Sequence, residues 1–171
     1  MSNKHPIIAV TGSSGAGTTL VKTAFEHIFY REKINPALVE GDSFHRYDRM
    51  DMREAVSRSN KQGVNLSHFG PEANLLSELE EFLQSYGETG LGECRKYLHC
   101  EEEAEIYGQQ TGTFTPWNAI SEGSDLLLYE GLHGAVVTDE VDIAQHVDLL
   151  IGVVPIVNLE WIQKLHRDTQ E

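Results

Sequence analysis

The chain has 171 residues, of which 13 are Lys or Arg and 27 are Asp or Glu, giving a formal charge of −14 with histidine neutral. That length leaves room for one domain with a full core and does not call for two. The acidity argues against a nucleic-acid partner, whose phosphates demand clustered Lys and Arg. No run approaches the roughly 20 apolar residues of a membrane span, and the N-terminus lacks the apolar segment of a signal peptide. The 2 cysteines, Cys94 and Cys100, lie outside any C-x-x-C pair. A cytoplasmic protein is therefore expected, with no membrane partner and no disulfide framework.

The first element is the apolar, β-branched run Ile7 to Val10, which reads as a strand buried on both faces. It enters a loop with glycine at positions 12, 15 and 17. A helix beginning at Thr18 or Thr19 follows, with Leu20, Val21, Ala24, Phe25 and Ile28 predicted on one apolar face. Strand, glycine loop and helix in that order suit phosphate binding, because loop amides can fold around a polyphosphate and the helix start adds unpaired N–H groups and a positive dipole end. Gly12, Ser13, Ser14, Gly15, Ala16, Gly17, Thr18 and Thr19 fit G-x-x-x-x-G-K-[ST] except at the lysine, which here is Thr18. Thr19 stands where a hydroxyl would meet Mg²⁺. A helix dipole contributes about 0.3–1 kcal/mol, whereas a cation on a transferring phosphoryl group is worth on the order of 10³–10⁵ in rate. The missing charge must come from elsewhere in the chain.

Ala37 to Glu40 reads as a second strand that leaves the sheet at Gly41-Asp42. In open parallel sheets ligands sit beyond the carboxyl ends of strands, so Asp42 is either a site carboxylate or the cap of the next turn. Downstream, His45, Arg46, Arg49, Arg53 and Arg58 form the densest cationic stretch. They suit an anionic small molecule, and a solvated helical face is the alternative. A helix with Leu75, Leu76, Leu79, Phe82 and Leu83 inward is predicted to start at Pro71 and end before Gly87. Residues 87–122 read as a loop-rich insertion with a short strand at Arg95 to His99. The acidic Glu101, Glu102, Glu103 and Glu105 are expected to be a solvated face, since no spaced histidine joins them as a metal site.

Asp125 to Gly131 is a further buried strand, ending in Glu130. That carboxylate could hold Mg²⁺ together with Thr19, or simply face solvent. Asp148 to Val154 is another strand, followed by a helix from about Asn158. Lys164 and Arg167 share a face of that helix, and Asp168 lies where it could form an ordinary surface ion pair with Lys164. The chain stops at Gln170-Glu171 without a helix stop signal, so a fragment of a longer protein is expected. The class is α/β: a P-loop nucleotide-binding three-layer sandwich with a mostly parallel central sheet, read as a single incomplete domain over residues 1–171.

Taken together, Gly12 to Thr19, Glu40 to Arg46, Ser67-His68-Phe69, Tyr129 to Ala135 and Asn158 to Lys164 resemble the bacterial type of the phosphoribulokinase family. Members of that branch also lack the P-loop lysine. The resemblance implies ATP-dependent phosphorylation of ribulose 5-phosphate in the Calvin cycle, with ATP and ribulose 5-phosphate as partners and Mg²⁺ as cofactor. By position, Asp42 resembles the general base. His45 and Arg49 resemble sugar-phosphate contacts, and Glu130 resembles the acid associated with Mg²⁺. Lys164, Arg167 and Asp168 resemble a catalytic charged cluster, which would supply the absent cation. The family's bacterial members form homo-oligomers activated by NADH and inhibited by AMP. Its plant-type members carry a regulatory cysteine where this chain has Ala16, so thioredoxin switching there is not expected. Phosphorylation of another alcohol, such as uridine or pantothenate, is one alternative. A non-catalytic nucleotide-binding module is another.

Overall fold

The computed structural model describes residues 4–156, 161, 162, 164–166 and 169. A sheet of four strands organises it: β1 (Ile7–Gly12), β2 (Pro36–Glu40), β5 (Leu126–Gly131) and β6 (Leu149–Val153). Their order is β2-β5-β1-β6, and all three pairings are parallel. β5 separates β1 from β2, so the chain leaves β1, crosses over through helix α1 (Thr18–Glu32), and returns one position beyond its neighbour. The register sets Val10 beside Glu130 and Glu40 beside Glu130, which aligns the carboxyl ends of β1, β5 and β2.

Strand alternation splits the core into two layers. Ile7, Ala9, Leu127 and Tyr129 face helix α3 (Leu76–Thr89) and pack with Leu79, Phe82, Leu83 and Tyr86. Val10, Leu126 and Leu128 face α1 and pack with Phe29, joined by the half-buried Val21 and Phe25. Helices on both faces make the expected three-layer α/β arrangement with a parallel central sheet. The nearly complete burial of the central strands β1 and β5 matches the continuous apolar runs of their sequence.

Several expectations need correction. In α1, Leu20 is 76% exposed and Ile28 is 42% exposed, and the inward anchor is Phe29. The inward face is thus rotated relative to the expected one. Pro71 to Ala73 form a separate 3-10 turn, and α3 starts at Leu76 and runs through Gly87 to a left-handed glycine at Gly90. The proline fits a tight turn, but the extended Asn74 interrupts the path into the helix. Arg95 to His99 is not a strand: an isolated bridge pairs Tyr97 with Phe114, beside a small antiparallel sheet of the two-residue strands β3 (Glu93–Cys94) and β4 (Asn118–Ala119). The acidic run forms helix α4 (Glu101–Tyr107). Its Glu103 is more than a solvated acid, since it accepts from the His99 amide at 2.8 Å and pairs with Lys96 at 3.1 Å. Helix α2 (Arg49–Lys61) carries the predicted cationic stretch and is capped by Asp48, whose Oδ1 accepts from the Met50 and Asp51 amides.

Candidate active site

The glycine loop turns between β1 and α1 through backbone conformations that its glycines permit. Gly15 and Gly17 adopt left-handed φ of 88° and 97°, which a side chain rarely tolerates. Gly12 is required for a different reason, because a Cβ there would lie 2.7 Å from the Val153 carbonyl oxygen. The Ala16 amide closes the loop on the Ser13 carbonyl at 2.9 Å. α1 begins at Thr18 with no side-chain cap and no acidic residue in its first turn. The Leu20 and Val21 amides bond the Gly17 carbonyl, and the N–H groups of Thr18 and Thr19 ahead of them face an anion with the positive end of the dipole behind.

One turn along α1, the Lys22 ammonium reaches Glu40 at the tip of β2, 2.6 Å away. Burial alone would lower Lys22, but Glu40, Glu26 and Glu130 outweigh it and raise it, so it is a firm cation beside the strand tips. β2 and β5 meet there with almost no clearance. A Cβ on Gly41 would come within 2.5 Å of the Tyr129 hydroxyl, and one on Gly131 within 2.8 Å of the Gly41 Cα. The Tyr129 side chain is buried beneath both, and burial raises its phenol far above the usual value.

Asp42 follows Gly41 in a 3-10 turn (Gly41–Phe44) and does not use its side chain to cap it. Its carboxylate lies 3.0 Å (Oδ1) from His45 Nε2 and 3.2 Å (Oδ2) from His99 Nε2. Burial would raise the Asp42 carboxyl, but the hydrogen bonds and positive charge of the two imidazoles prevail and hold it well below the carboxylate range. The same contact raises His99, against its own desolvation. The Asp42 side chain is still 42% exposed, so an open path leads to it. His68 stacks 4.3 Å from the His45 ring, and His133 Nε2 meets the Phe69 carbonyl at 3.2 Å. Desolvation lowers both His68 and His133, reinforced by His45.

The structure brings most predicted site residues to this end of the sheet, with one separation. His45 touches Asp42, whereas Arg49 turns to the neighbouring pocket of about 450 Å³, which Arg53, His68 and Tyr97 also line. Arg49 is tethered there to the His99 carbonyl at 3.2 Å. Lys164 approaches from the far side, with its ammonium 5.7 Å from the centroid of the Phe69 ring. Arg167 and Asp168 lie outside the described residues. Sequence reading missed His99, His68 and Asn74 as members of the site. For His68 a signal existed in the Ser67-His68-Phe69 motif, to which no role was assigned; for Asn74 and His99 no local pattern links them to position 42.

The model of the phosphoribulokinase/uridine kinase family matches residues 7–171, nearly the entire chain. The chain belongs to the phosphoribulokinase/uridine kinase family. It is 59% identical to a phosphoribulokinase of Nitrobacter vulgaris over 98% of its own length, and 60% identical to one of Xanthobacter flavus over the same share. A probable phosphoribulokinase of Escherichia coli K12 is 58% identical over all of the chain. Among solved structures, the phosphoribulokinase of Rhodobacter spheroides superimposes with a TM-score of 0.86 at 50% identity, covering 98% of this chain and 57% of that one. The chain spans 58–59% of the length of these sequence relatives. A fructose transport system kinase of Silicibacter, at 11% identity and a TM-score of 0.71, shares the fold. Among the described residues no helix is long and apolar enough to cross a membrane.

Proposed function

We propose that this chain is the nucleotide- and sugar-binding part of a phosphoribulokinase, which transfers the γ-phosphoryl group of ATP to the C1 hydroxyl of ribulose 5-phosphate. The observation that carries the reading is Asp42: a partly open carboxylate at a strand tip, kept ionised by two imidazoles, on the same sheet end as an uncapped glycine-loop helix. The 57–60% identity to phosphoribulokinases supports this acceptor over uridine or pantothenate. Residues 1–171 are read as part of a single P-loop kinase domain.

In this mechanism the amides of Gly12 to Thr19 cradle the triphosphate, and Asp42 takes the proton from the attacking hydroxyl. Arg49 holds the sugar phosphate at the pocket on α2, and His45, expected from the sequence as a second contact, serves it from beside Asp42, to which its Nε2 is bonded at 3.0 Å. Lys164, with Arg167 and Asp168, places charge near the transferring group and stands in for the lysine replaced by Thr18. Catalysis is then mostly positioning and charge stabilisation, as phosphoryl transfer requires. Thr19 and Glu130 fit Mg²⁺ by their chemistry, a hydroxyl and a single carboxylate at a phosphate site. Bound there, the ion would neutralise phosphate charge.

The test is Asp42→Asn in the active enzyme, followed as ADP release with ribulose 5-phosphate. A base of this kind contributes roughly 10²–10⁴ in rate. Turnover should fall by about that factor with ATP binding retained. Turnover within about tenfold of the unsubstituted enzyme would remove Asp42 from the role. Offering uridine and pantothenate as competing acceptors distinguishes the alternative kinases, and an absence of ADP release with every acceptor would favour the non-catalytic module.

A further inference from the structure

Asn74 is a polar side chain at 2% exposure, and no motif singles it out. It sits opposite His45 across an isolated antiparallel bridge. Backbone bonds from Arg46 to the Ala73 carbonyl (2.8 Å) and from Leu75 to the Phe44 carbonyl (2.7 Å) hold the two segments together. The Asn74 amide nitrogen donates to two carbonyls, those of His68 at 3.0 Å and Gly70 at 2.7 Å. A nitrogen with two carbonyl partners cannot be exchanged for the oxygen, so the orientation of the amide is fixed. Its Oδ1 therefore faces His45 Nδ1, 2.7 Å away.

The tautomer of His45 follows. Asn74 Oδ1 can only accept, so Nδ1 must carry a proton. Across the ring, Nε2 lies 3.0 Å from Asp42 Oδ1. A ring protonated at Nδ1 alone would turn the Nε2 lone pair against a carboxylate. The contact is favourable only with a second proton on that line, carried by the ring nitrogen. We propose that Asn74 positions His45 as a donor at both ring nitrogens, so that an Asn74–His45–Asp42 chain presents the carboxylate to the substrate hydroxyl.

The arrangement assigns different work to the two carboxylate oxygens. Oδ1 is committed to His45, whose ring is buried, and Oδ2 meets, among the described residues, His99, whose side chain is 51% exposed. Oδ2 is the oxygen that a substrate can free. The hydroxyl proton then moves to Oδ2 while the hydroxyl oxygen bonds the γ-phosphorus, and ADP leaves with the bridging oxygen and its electron pair. The groups facing the His45 ring are His68 at 4.3 Å and Tyr97 at 6.3 Å, and the Arg95 guanidinium donates to the His45 carbonyl at 2.5 Å. This catalytic consequence rests on the proposed role of Asp42, but the ring protonation does not.

Long-range ¹H–¹⁵N correlation spectra of the uniformly ¹⁵N-labelled chain at neutral pH read the ring nitrogens directly. Two protonated nitrogens at His45 are expected. Asn74→Leu removes the acceptor, so His45 should lose the proton at Nδ1, and Asn74→Asp, which restores an acceptor oxygen, should bring it back. If Asn74→Leu fails to fold, Asp42→Asn decides: His45 must keep its Nδ1 proton, because Asn74 still demands it. A neutral His45 in the unsubstituted chain would overturn the inference. So would a ring protonated only at Nε2 in Asp42→Asn, or a His45 signal unchanged by Asn74→Leu. Ring signals as expected, together with normal turnover in Asp42→Asn, would defeat the base reading and leave the positioning of His45 intact.

Discussion

The glycine cradle and the imidazole cage around Asp42 lie at the same end of one sheet but are built in opposite ways. The cradle is a single run, Gly12 to Thr19, whose groups are backbone amides placed by local conformation. The cage draws side chains from segments around residues 42–45, 68–74, 97–99 and 133, which only the tertiary fold brings together. A local device tolerates change in its surroundings and fails when its own dihedrals change. An assembled device fails when the spacing of its supports changes.

Paired glycine substitutions exploit that contrast. Gly41→Ala has no dihedral penalty to meet, but its Cβ would press on the buried Tyr129 hydroxyl at 2.5 Å and on the Gly131 Cα at 3.0 Å. Overpacking of this kind costs about 1–3 kcal/mol. The expected result is a lower urea midpoint together with shifted His45 and His99 ring signals. Gly17→Ala meets nothing within 4 Å, yet it forces a side chain to φ +97°. The cost is about 1–2 kcal/mol, and the perturbation should stay in the amides at the start of α1. If Gly41→Ala left the cage signals in place, the claim that β2–β5 spacing sets the cage would be wrong.

The same contrast decides how much could be read from the sequence. The glycine loop between a strand and a helix was legible, and so were the four strands of the main sheet as apolar runs, whereas the strand expected at Arg95 to His99 does not form and β3 and β4 left no such run. The register of α1 was not legible either: Leu20 and Ile28 satisfy the helical period, yet the inward position belongs to Phe29. Periodicity defines a stripe, and which side of it meets the sheet depends on the crossover. Asp42 and His45 were found because they adjoin a strand tip and resemble a family motif. His99 and Asn74 were not, because their roles exist only after residues 99 and 74 have been folded against residues 42 and 45.

A smaller effect concerns pH. His68 and His133 have folded-state values below the ordinary 6.5, so the unfolded chain takes up protons first on acidification. Their contribution to stability is present above that value and is lost as pH falls below it. His99 is raised, so its contribution is full below 6.5 and fades as pH rises through its folded value. Urea midpoints between about pH 7 and pH 5 should therefore fall less in His68→Gln and more in His99→Gln than in the unsubstituted chain. Equal slopes in all three would mean that the cage does not control these titrations. The cradle contains no histidine and should be indifferent throughout this range.

The most direct test of two cooperating sites around Asp42 is a pair of titrations of the ¹⁵N-labelled chain. A non-hydrolysable Mg–ATP analogue should move the amides of residues 13–20 and leave the His99 ring nearly still. Ribulose 5-phosphate, added next, should release His99 from Asp42 and shift its ring nitrogens. Sugar phosphate signals confined to the glycine loop, with His99 and His45 unmoved at saturation, would contradict the account.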